Sequence, residues 1–98
     1  MHGAVKKIPK ESAIERELVL RVLALGGMAE KVQVIGKRGF FDRLVILPGG
    51  RIYFCECKRS SRAHIATHQI LYATKCIGLG CNVALIRTSA DIDRLLAQ

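Results

Sequence analysis

Three charged residues of this chain are spaced so that a tight turn would bring them together. Asp42 and Glu56 lie on either side of the turn-forming Pro-Gly-Gly segment 48–50, and Lys58 follows Glu56 by two positions. If the turn centres on Gly49, residues 42 and 56 face each other across a hairpin. Two carboxylates can hold a Mg²⁺ ion that takes its other ligands from water and phosphate. Such an ion activates a bound water, which a neighbouring lysine can orient or deprotonate.

An ordinary cross-strand salt bridge is the alternative interpretation of the same three residues. Considered alone, the spacing favours this alternative, because opposite charges commonly pair on a solvated sheet face. However, residues 52–55 are Ile, Tyr, Phe and Cys, with no regular alternation of apolar and polar side chains. A strand of this composition is typical of a sheet that is covered on both faces. The charged residues at its end would then be grouped at the rim of the sheet.

The remaining residues must form the elements that position this group. Apolar spacing and turn residues predict three helices and four strands in the order α-β-β-β-α-β-α. We expect the helices from Ser12 to Gly26, from about Ala66 to Gly78, and over 90–97 after a Ser89 cap, and the strands over 28–35, 44–47, 51–58 and 81–87. The last strand follows a helical crossover, so it should pair parallel to an earlier strand. The sequence therefore predicts one α/β domain around a mixed sheet, preceded by a basic arm over residues 1–9.

These motifs together resemble a known family. The tract Gly39-Phe40-Phe41-Asp42-Arg43, followed by Glu56-Cys57-Lys58 and Gln69, is similar to the VRR-NUC domain of the PD-(D/E)XK nuclease superfamily, in its small stand-alone viral form. The family pattern has an early helix with a glutamate, then G-x-P-D-R, E-x-K and a later glutamine. The resemblance implies a restriction-endonuclease-like core with helices flanking the sheet. One position departs from the pattern, since Phe41 replaces the usual proline.

The resemblance also implies roles for the site residues. Asp42 and Glu56 would be ligands of Mg²⁺ or Mn²⁺, Lys58 would position or activate the water, and Gln69 would support the site. A catalytic glutamate is expected on the first helix, where Glu15 is preferred and Glu11 is the second candidate. Glu15 also has another possible role, since it lies three residues after Ser12 and could complete a capping box.

The charge of the chain points to a polyanionic partner. Sixteen Lys and Arg residues against eight Asp and Glu give a net charge of +8, so nucleic acid is the expected partner. Lys37, Arg38, Arg59 and Arg62 lie in two segments that would flank the carboxylates and bind phosphates without reading base sequence. The alternative is that both segments are simply solvated loops. We interpret His64 and His68 as phosphate contacts or surface residues rather than metal ligands.

The four cysteines favour a reduced, intracellular protein. The chain shows neither a secretory signal nor an apolar run long enough to cross a bilayer. Cys55 and Cys57 would share one strand face, where buried thiols behave as small apolar side chains. We favour this role over a zinc site, because the spacing of the four cysteines is poor for zinc.

The preferred hypothesis is a metal-dependent DNA endonuclease. The resemblance adds that small members act as homodimers on branched DNA, in the manner of Holliday-junction resolvases. One alternative is a non-catalytic nucleic-acid-binding module on the same fold, and another is a small protein that dimerises through its apolar surface. A pure binding module would gain nothing from two carboxylates that face a phosphate backbone.

Overall fold

The helices and strands follow one another in the predicted order. The computed structural model describes residues 11–58 and 65–98. The elements in these ranges are α1 (Ala13–Ala24), β1 (Met28–Lys31), β2 (Arg43–Leu47), β3 (Arg51–Cys57), α2 (Thr67–Gly78), β4 (Val83–Ile86) and α3 (Ser89–Leu96). The predicted basic arm over residues 1–9 lies outside the described residues. No helix within the described ranges has the length and apolarity needed to cross a bilayer.

The described strands form a mixed sheet in chain order, β1-β2-β3-β4. The first two pairings are antiparallel, and β4 runs parallel to β3, as the helical crossover predicts. In the β2–β3 hairpin Arg43 lies opposite Cys55, which confirms the register centred on Gly49. Gly49 and Gly50 have φ angles of 85° and 75°. Glycine adopts this left-handed conformation readily because it has no Cβ, so the hairpin turn depends on both positions.

The main core lies on one face of the sheet, where α1 and α3 cover it. Alternate residues of β2 and β3 point to this face, as the period of two in a strand requires. The fully buried side chains include Val45, Leu47 and Cys55 from the sheet, Leu18 and Val22 from α1, and Ile92 and Leu95 from α3. Cys55 therefore has the apolar core role predicted for it, and burial raises the pKa of its thiol to about 12.

The opposite face of the sheet is packed less tightly, because α2 contributes no buried residue. Aromatic rings fill the space between α2, β3 and the segment that leads into β2. The ring of Phe40 lies 5.5 Å from Tyr72 of α2 and 5.7 Å from Phe54 of β3, and Phe41 lies 5.4 Å from Phe54. A cavity of about 150 Å³ remains between α2 and β4. This aromatic cluster therefore connects α2 to the chain just before β2.

Several predicted boundaries are wrong by one to four residues; among them, β4 begins at Val83 rather than at residue 81. The first strand ends at Lys31 rather than at residue 35, because Lys31 pairs with Arg43, the first residue of β2, and later residues have no β2 partner. The cap of α3 is Thr88 rather than Ser89: Thr88 accepts a hydrogen bond from the backbone N–H of Asp91. Ser89 instead donates to Glu17 of α1 at 2.7 Å.

Candidate active site

Asp42 is held in place by one hydrogen bond from β3 and one from the residue that follows β1. It lies directly before β2, and its Oδ2 accepts a hydrogen bond from the backbone N–H of Cys57 at 2.8 Å. Its own carbonyl accepts from the N–H of Val32 at 3.4 Å, at the point where the chain leaves β1. Asp42 is therefore held at the rim of the sheet beside the end of β3.

Glu56, Lys58 and Gln69 form one hydrogen-bonded group at the same rim. Glu56 Oε2 lies 3.0 Å from Lys58 Nζ and accepts from the side-chain amide of Gln69. Lys58 also donates to Gln69 Oε1 at 2.9 Å, and this oxygen accepts from the backbone N–H of Ala66 at 3.2 Å. The first turn of α2 thus presents Gln69 to both charged groups. The structure brings together Asp42, Glu56 and Lys58, which the hairpin spacing predicted, and Gln69, which the resemblance implied.

The electrostatic environment of Glu56 is unfavourable for a carboxylate without further partners. Burial is the main reason that its pKa is raised above the ordinary range, and the negative charge of Asp42 raises it further. The hydrogen bonds and charge supplied by Lys58 and Gln69 lower the pKa of Glu56 and so oppose this effect. Phe41 is buried and lines the cavity beside Glu56 and Gln69. The phenylalanine that replaces the family proline thus supplies an apolar wall next to the site.

One oxygen of Glu56 provides a test of whether a metal ion fits here. Glu56 Oε1 is buried and has no hydrogen-bond partner among residues 11–58 and 65–98. A buried polar atom without a partner costs free energy, and a hard divalent cation shared with Asp42 would provide that partner. The described part of the chain contains no cluster of three or more His, Cys, Asp and Glu arranged for a metal. Two carboxylates that leave the other positions to water and phosphate fit Mg²⁺ or Mn²⁺.

Glu15 of α1 and Glu11, just before α1, belong to a different group of charges. Glu15 Oε2 lies 2.7 Å from Arg43 Nε, and Glu11 pairs with another nitrogen of the same guanidinium. Ser12 caps α1 by accepting from the N–H of Glu15 at 3.2 Å, but the Glu15 side chain extends to Arg43. No hydrogen bond among the described residues joins Glu11 or Glu15 to the group around Glu56.

The predicted phosphate-binding residues are only partly described. Lys37 and Arg38 are exposed in the segment that leads to Asp42. His68 is exposed at the start of α2, and Gly39 packs closely against it. Arg59, Arg62 and His64 lie outside the described residues.

Comparison with known proteins identifies the family. No family model matches the chain. A protein named "Putative nuclease p44", from Acyrthosiphon pisum secondary endosymbiont phage 1, is 36% identical over 90 residues, which cover 92% of this chain and 95% of that protein. A solved structure described as a VRR_NUC domain is 30% identical, has a TM-score of 0.81, and covers 87% of this chain and 91% of its own chain. This chain belongs to the VRR-NUC family. The family resemblance predicted from the sequence is therefore confirmed.

Arg43 lies beside the site of this VRR-NUC domain, and the sequence placed it in the family tract without assigning it a role. Arg43 is 7% exposed and makes ionic or hydrogen-bonded contacts with α1 and β1. An arginine is rarely buried, so its residue type alone predicts a surface position for it. The period of two nevertheless gives a signal, because Arg43, Val45 and Leu47 share the face of β2 that is buried.

Proposed function

We propose that this VRR-NUC domain is a Mg²⁺- or Mn²⁺-dependent DNA endonuclease of the PD-(D/E)XK type. Family membership and the similarity to a phage protein named as a nuclease support nuclease activity in general. The observation that carries the metal-dependent mechanism is Glu56 Oε1, which is buried without a described partner while Asp42 lies close enough to raise the pKa of Glu56. The opposite oxygen of Glu56 contacts Lys58.

Each residue of the site has a distinct role in this proposal. Asp42 and Glu56 hold the metal ion, which when bound lowers the pKa of a coordinated water and neutralises charge on the phosphate. The Lys58 ammonium holds the attacking water in line, and the Gln69 amide holds the side chains of Lys58 and Glu56 in place. The water oxygen bonds to phosphorus, the bond between phosphorus and one sugar oxygen breaks, and a proton from the water ends on that sugar oxygen by way of solvent.

The charge and surface of the domain support branched DNA as the substrate. A net charge of +8 and the exposed Lys37 and Arg38 suit contact with phosphates. So small a domain offers little surface for reading a long sequence, which favours recognition of DNA shape. We infer a homodimer acting on Holliday-junction-like DNA, because the symmetry of a dimer matches that of a four-way junction. The apolar side chains that α2 leaves exposed support a protein contact there.

The experiment that tests this function is cleavage of labelled four-way junction, flap, duplex and single-stranded DNA with Mg²⁺, Mn²⁺ or EDTA. Wild-type protein should cut only with metal, and the junction should be the preferred substrate. Lys58→Met should lower the cleavage rate by about 10²- to 10⁴-fold, the usual contribution of a positioned acid–base group. Lys75→Met is the matched control, since Lys75 is exposed in the last turn of α2.

Circular dichroism must show that both variants are folded, because Lys58 also neutralises the buried Glu56. Wild-type protein that binds these DNAs but cuts none with either metal would contradict the proposal and favour the non-catalytic binding module. Cleavage that persists in EDTA would contradict the role of the metal. Equal cleavage rates for Lys58→Met and Lys75→Met would show that Lys58 has no role in cleavage.

A further inference from the structure

Arg43 is a buried cation whose contacts join three elements. Its side chain is 9% exposed, and its Nε lies 2.7 Å from Glu15 Oε2 on α1. A second nitrogen contacts Glu11, just before α1, and Nη1 donates to the carbonyl of Ala29 on β1 at 3.0 Å. The planar guanidinium makes these three contacts at once, which the single ammonium of a lysine could not reproduce.

This arrangement fixes the backbone on one side of Asp42. Arg43 is the residue directly after Asp42, and its pairing with Lys31 and Cys55 begins the regular sheet. On the other side, Val32 binds the Asp42 carbonyl, while Cys57 binds its carboxylate. A shift of Arg43 would therefore move Asp42 relative to Glu56. A buried ion pair contributes more to geometry than to net stability, since desolvation offsets much of the attraction.

Glu15 is engaged in this ion pair and not in the group around Glu56. Both Glu15 and Arg43 are buried, so the pair is little weakened by water. Glu11 is more exposed and is shared between Arg43 and Arg16. Among the described residues, the side-chain hydrogen bonds of Glu56 and Lys58 involve Gln69 and each other, with no contribution from α1.

We propose that Arg43 is the positioning residue for Asp42 and that Glu15 acts through Arg43 rather than by contacting the metal. This inference depends on the proposed metal-dependent cleavage. It assigns the first-helix glutamate a role that differs from the catalytic role expected from the resemblance. Its consequence is that the effects of Glu15 and Arg43 on metal use are coupled.

A double-mutant cycle tests this coupling. Glu15→Gln, Arg43→Met and the double variant are compared with wild type for the Kd of Mn²⁺ in calorimetric titration without DNA, for the Mn²⁺ concentration that gives half-maximal cleavage, and for kcat. Arg43→Met should raise that concentration and lower kcat, each by about tenfold or more, as loss of a supporting group near a metal does. Glu15→Gln should show a smaller effect in the same direction, and the double variant should match Arg43→Met.

Arg21→Met is the matched control, because Arg21 joins α1 to α3 through Asp93, away from the site. It should lower the melting temperature without changing the Mn²⁺ dependence, which separates a positioning role from a purely structural one. If Arg43→Met is unfolded, the same cycle is run with Arg43→Lys, which keeps the charge but loses the forked geometry.

Two patterns would overturn the inference. If Glu15→Gln raises the Mn²⁺ concentration for half-maximal cleavage by the same factor with Arg43 present or substituted, Glu15 acts on the metal independently of Arg43. If folded Arg43 variants keep the wild-type Mn²⁺ dependence and kcat, Arg43 does not position Asp42. Wild-type protein that neither binds Mn²⁺ nor cuts DNA would instead contradict the proposed function, and the inference would fail with it.

Discussion

The surroundings of the Glu56 carboxylate shift its pKa in opposite directions. Burial and the charge of Asp42 raise the pKa, while Lys58 and Gln69 lower it. Gln69 is the neutral member of this group, and its amide can donate to Glu56 while accepting from Lys58. The site therefore depends on Gln69 for a donor that a carboxylate of the same size could not provide.

Gln69→Glu should reduce metal-dependent cleavage more strongly at low pH than at high pH. The new carboxylate loses the donor to Glu56 and adds a negative charge, so the pKa of Glu56 rises further. A larger share of Glu56 is then protonated and unable to bind metal, and this share falls as the pH increases. We expect a loss of about 10- to 100-fold near pH 7, as for other supporting residues.

Cleavage rates measured from pH 6 to pH 9 at saturating DNA would check this prediction. The ratio of wild-type to variant rates should fall as the pH rises. Lys75→Gln on the same helix is the control, and its ratio should stay constant. A ratio for Gln69→Glu that does not change with pH would show that the donor to Glu56 is not what limits the variant.

At the level of single residues, the sequence predicts the carboxylates better than their partners. Asp42 and Glu56 follow from a hairpin whose turn is explicit in the sequence. The Arg43–Glu15 pair joins positions 28 residues apart on a strand and a helix. Such a contact depends on how α1 packs on the sheet, which periodicity alone does not determine. Glu15 meets only half of the capping-box pattern, because its backbone N–H binds Ser12 while its side chain binds Arg43.

At the level of elements, the close contact between Gly39 and α2 determines how the segment before Asp42 meets Gln69. Gly39 has a φ of 84°, and a Cβ there would lie 2.3 Å from Cδ2 of His68 and 3.0 Å from its backbone carbon. Gly36 has a similar φ of 80°, but a Cβ there would meet nothing within 4 Å. The two glycines therefore form a matched pair that differs only in packing.

Gly39→Ala should destabilise the protein more than Gly36→Ala and should also lower cleavage. Both substitutions carry the left-handed backbone strain, about 1–2 kcal/mol. Gly39→Ala adds a clash whose relief costs roughly 1–3 kcal/mol and pushes the start of α2, with Gln69, away from Glu56. Chemical denaturation and junction cleavage measure the two effects. Equal losses of stability for both variants would contradict close packing of Gly39 on α2.

The cap of α3 predicts a dependence of stability on pH. The backbone N–H groups of Arg87 and Thr88 donate to Asp91 Oδ2 at 2.8 and 3.0 Å, and Arg94 pairs with its other oxygen. These contacts lower the pKa of Asp91 below its ordinary value. The ionised form therefore stabilises the fold, fully above about pH 4, and this contribution is lost as the pH falls through the lowered pKa.

Asp91→Asn should lower the free energy of unfolding by about 1 kcal/mol at pH 7, a typical value for a helix cap. The difference from wild type should shrink as the pH falls below about 4 and through the lowered pKa of Asp91, since wild type then loses the ionised cap. Urea denaturation at several pH values measures it, with Glu30→Gln, at an exposed carboxylate of β1, as the control. A difference in unfolding free energy that grows as the pH falls would contradict the stabilising role of ionised Asp91.

The order of the elements could be predicted from the sequence, whereas some of their boundaries could not. The Pro-Gly-Gly turn and the apolar strands beside it determine the β2–β3 hairpin locally. The end of β1 depends on where its partner β2 begins. The apolar residues Val32 and Val34 continue the strand pattern in the sequence, but they lie beyond that end. Thr88 and Ser89 are equally suitable caps by type, and the contact of Ser89 with Glu17 of α1 leaves Thr88 as the cap.

At the scale of the whole molecule, the two faces of the sheet are covered differently. The face under α1 and α3 contains the main core, whereas α2 leaves large apolar side chains exposed, including Leu71, Ile77 and Leu79. Large apolar side chains are exposed on α1 too, at Leu20 and Leu23, but those of α2 lie on the helix that carries Gln69. Exposed apolar groups of this kind are typical of a protein contact. In a homodimer with this face at the interface, each active site would lie beside the contact, since Gln69 is in the first turn of the same helix.

Ile77→Glu should convert the proposed dimer into a monomer, because it would bury a carboxylate in an apolar contact. Leu23→Glu on α1 is the matched control, with a side chain 55% exposed against 59% for Ile77. Light scattering should give twice the 10.8 kDa chain mass for wild type and Leu23→Glu, and the single-chain mass for Ile77→Glu. On a four-way junction, Ile77→Glu should lose paired incision of the two strands while still nicking single sites. A wild-type mass of one chain at micromolar concentration, or equal dissociation by both variants, would place the dimer contact elsewhere or exclude it.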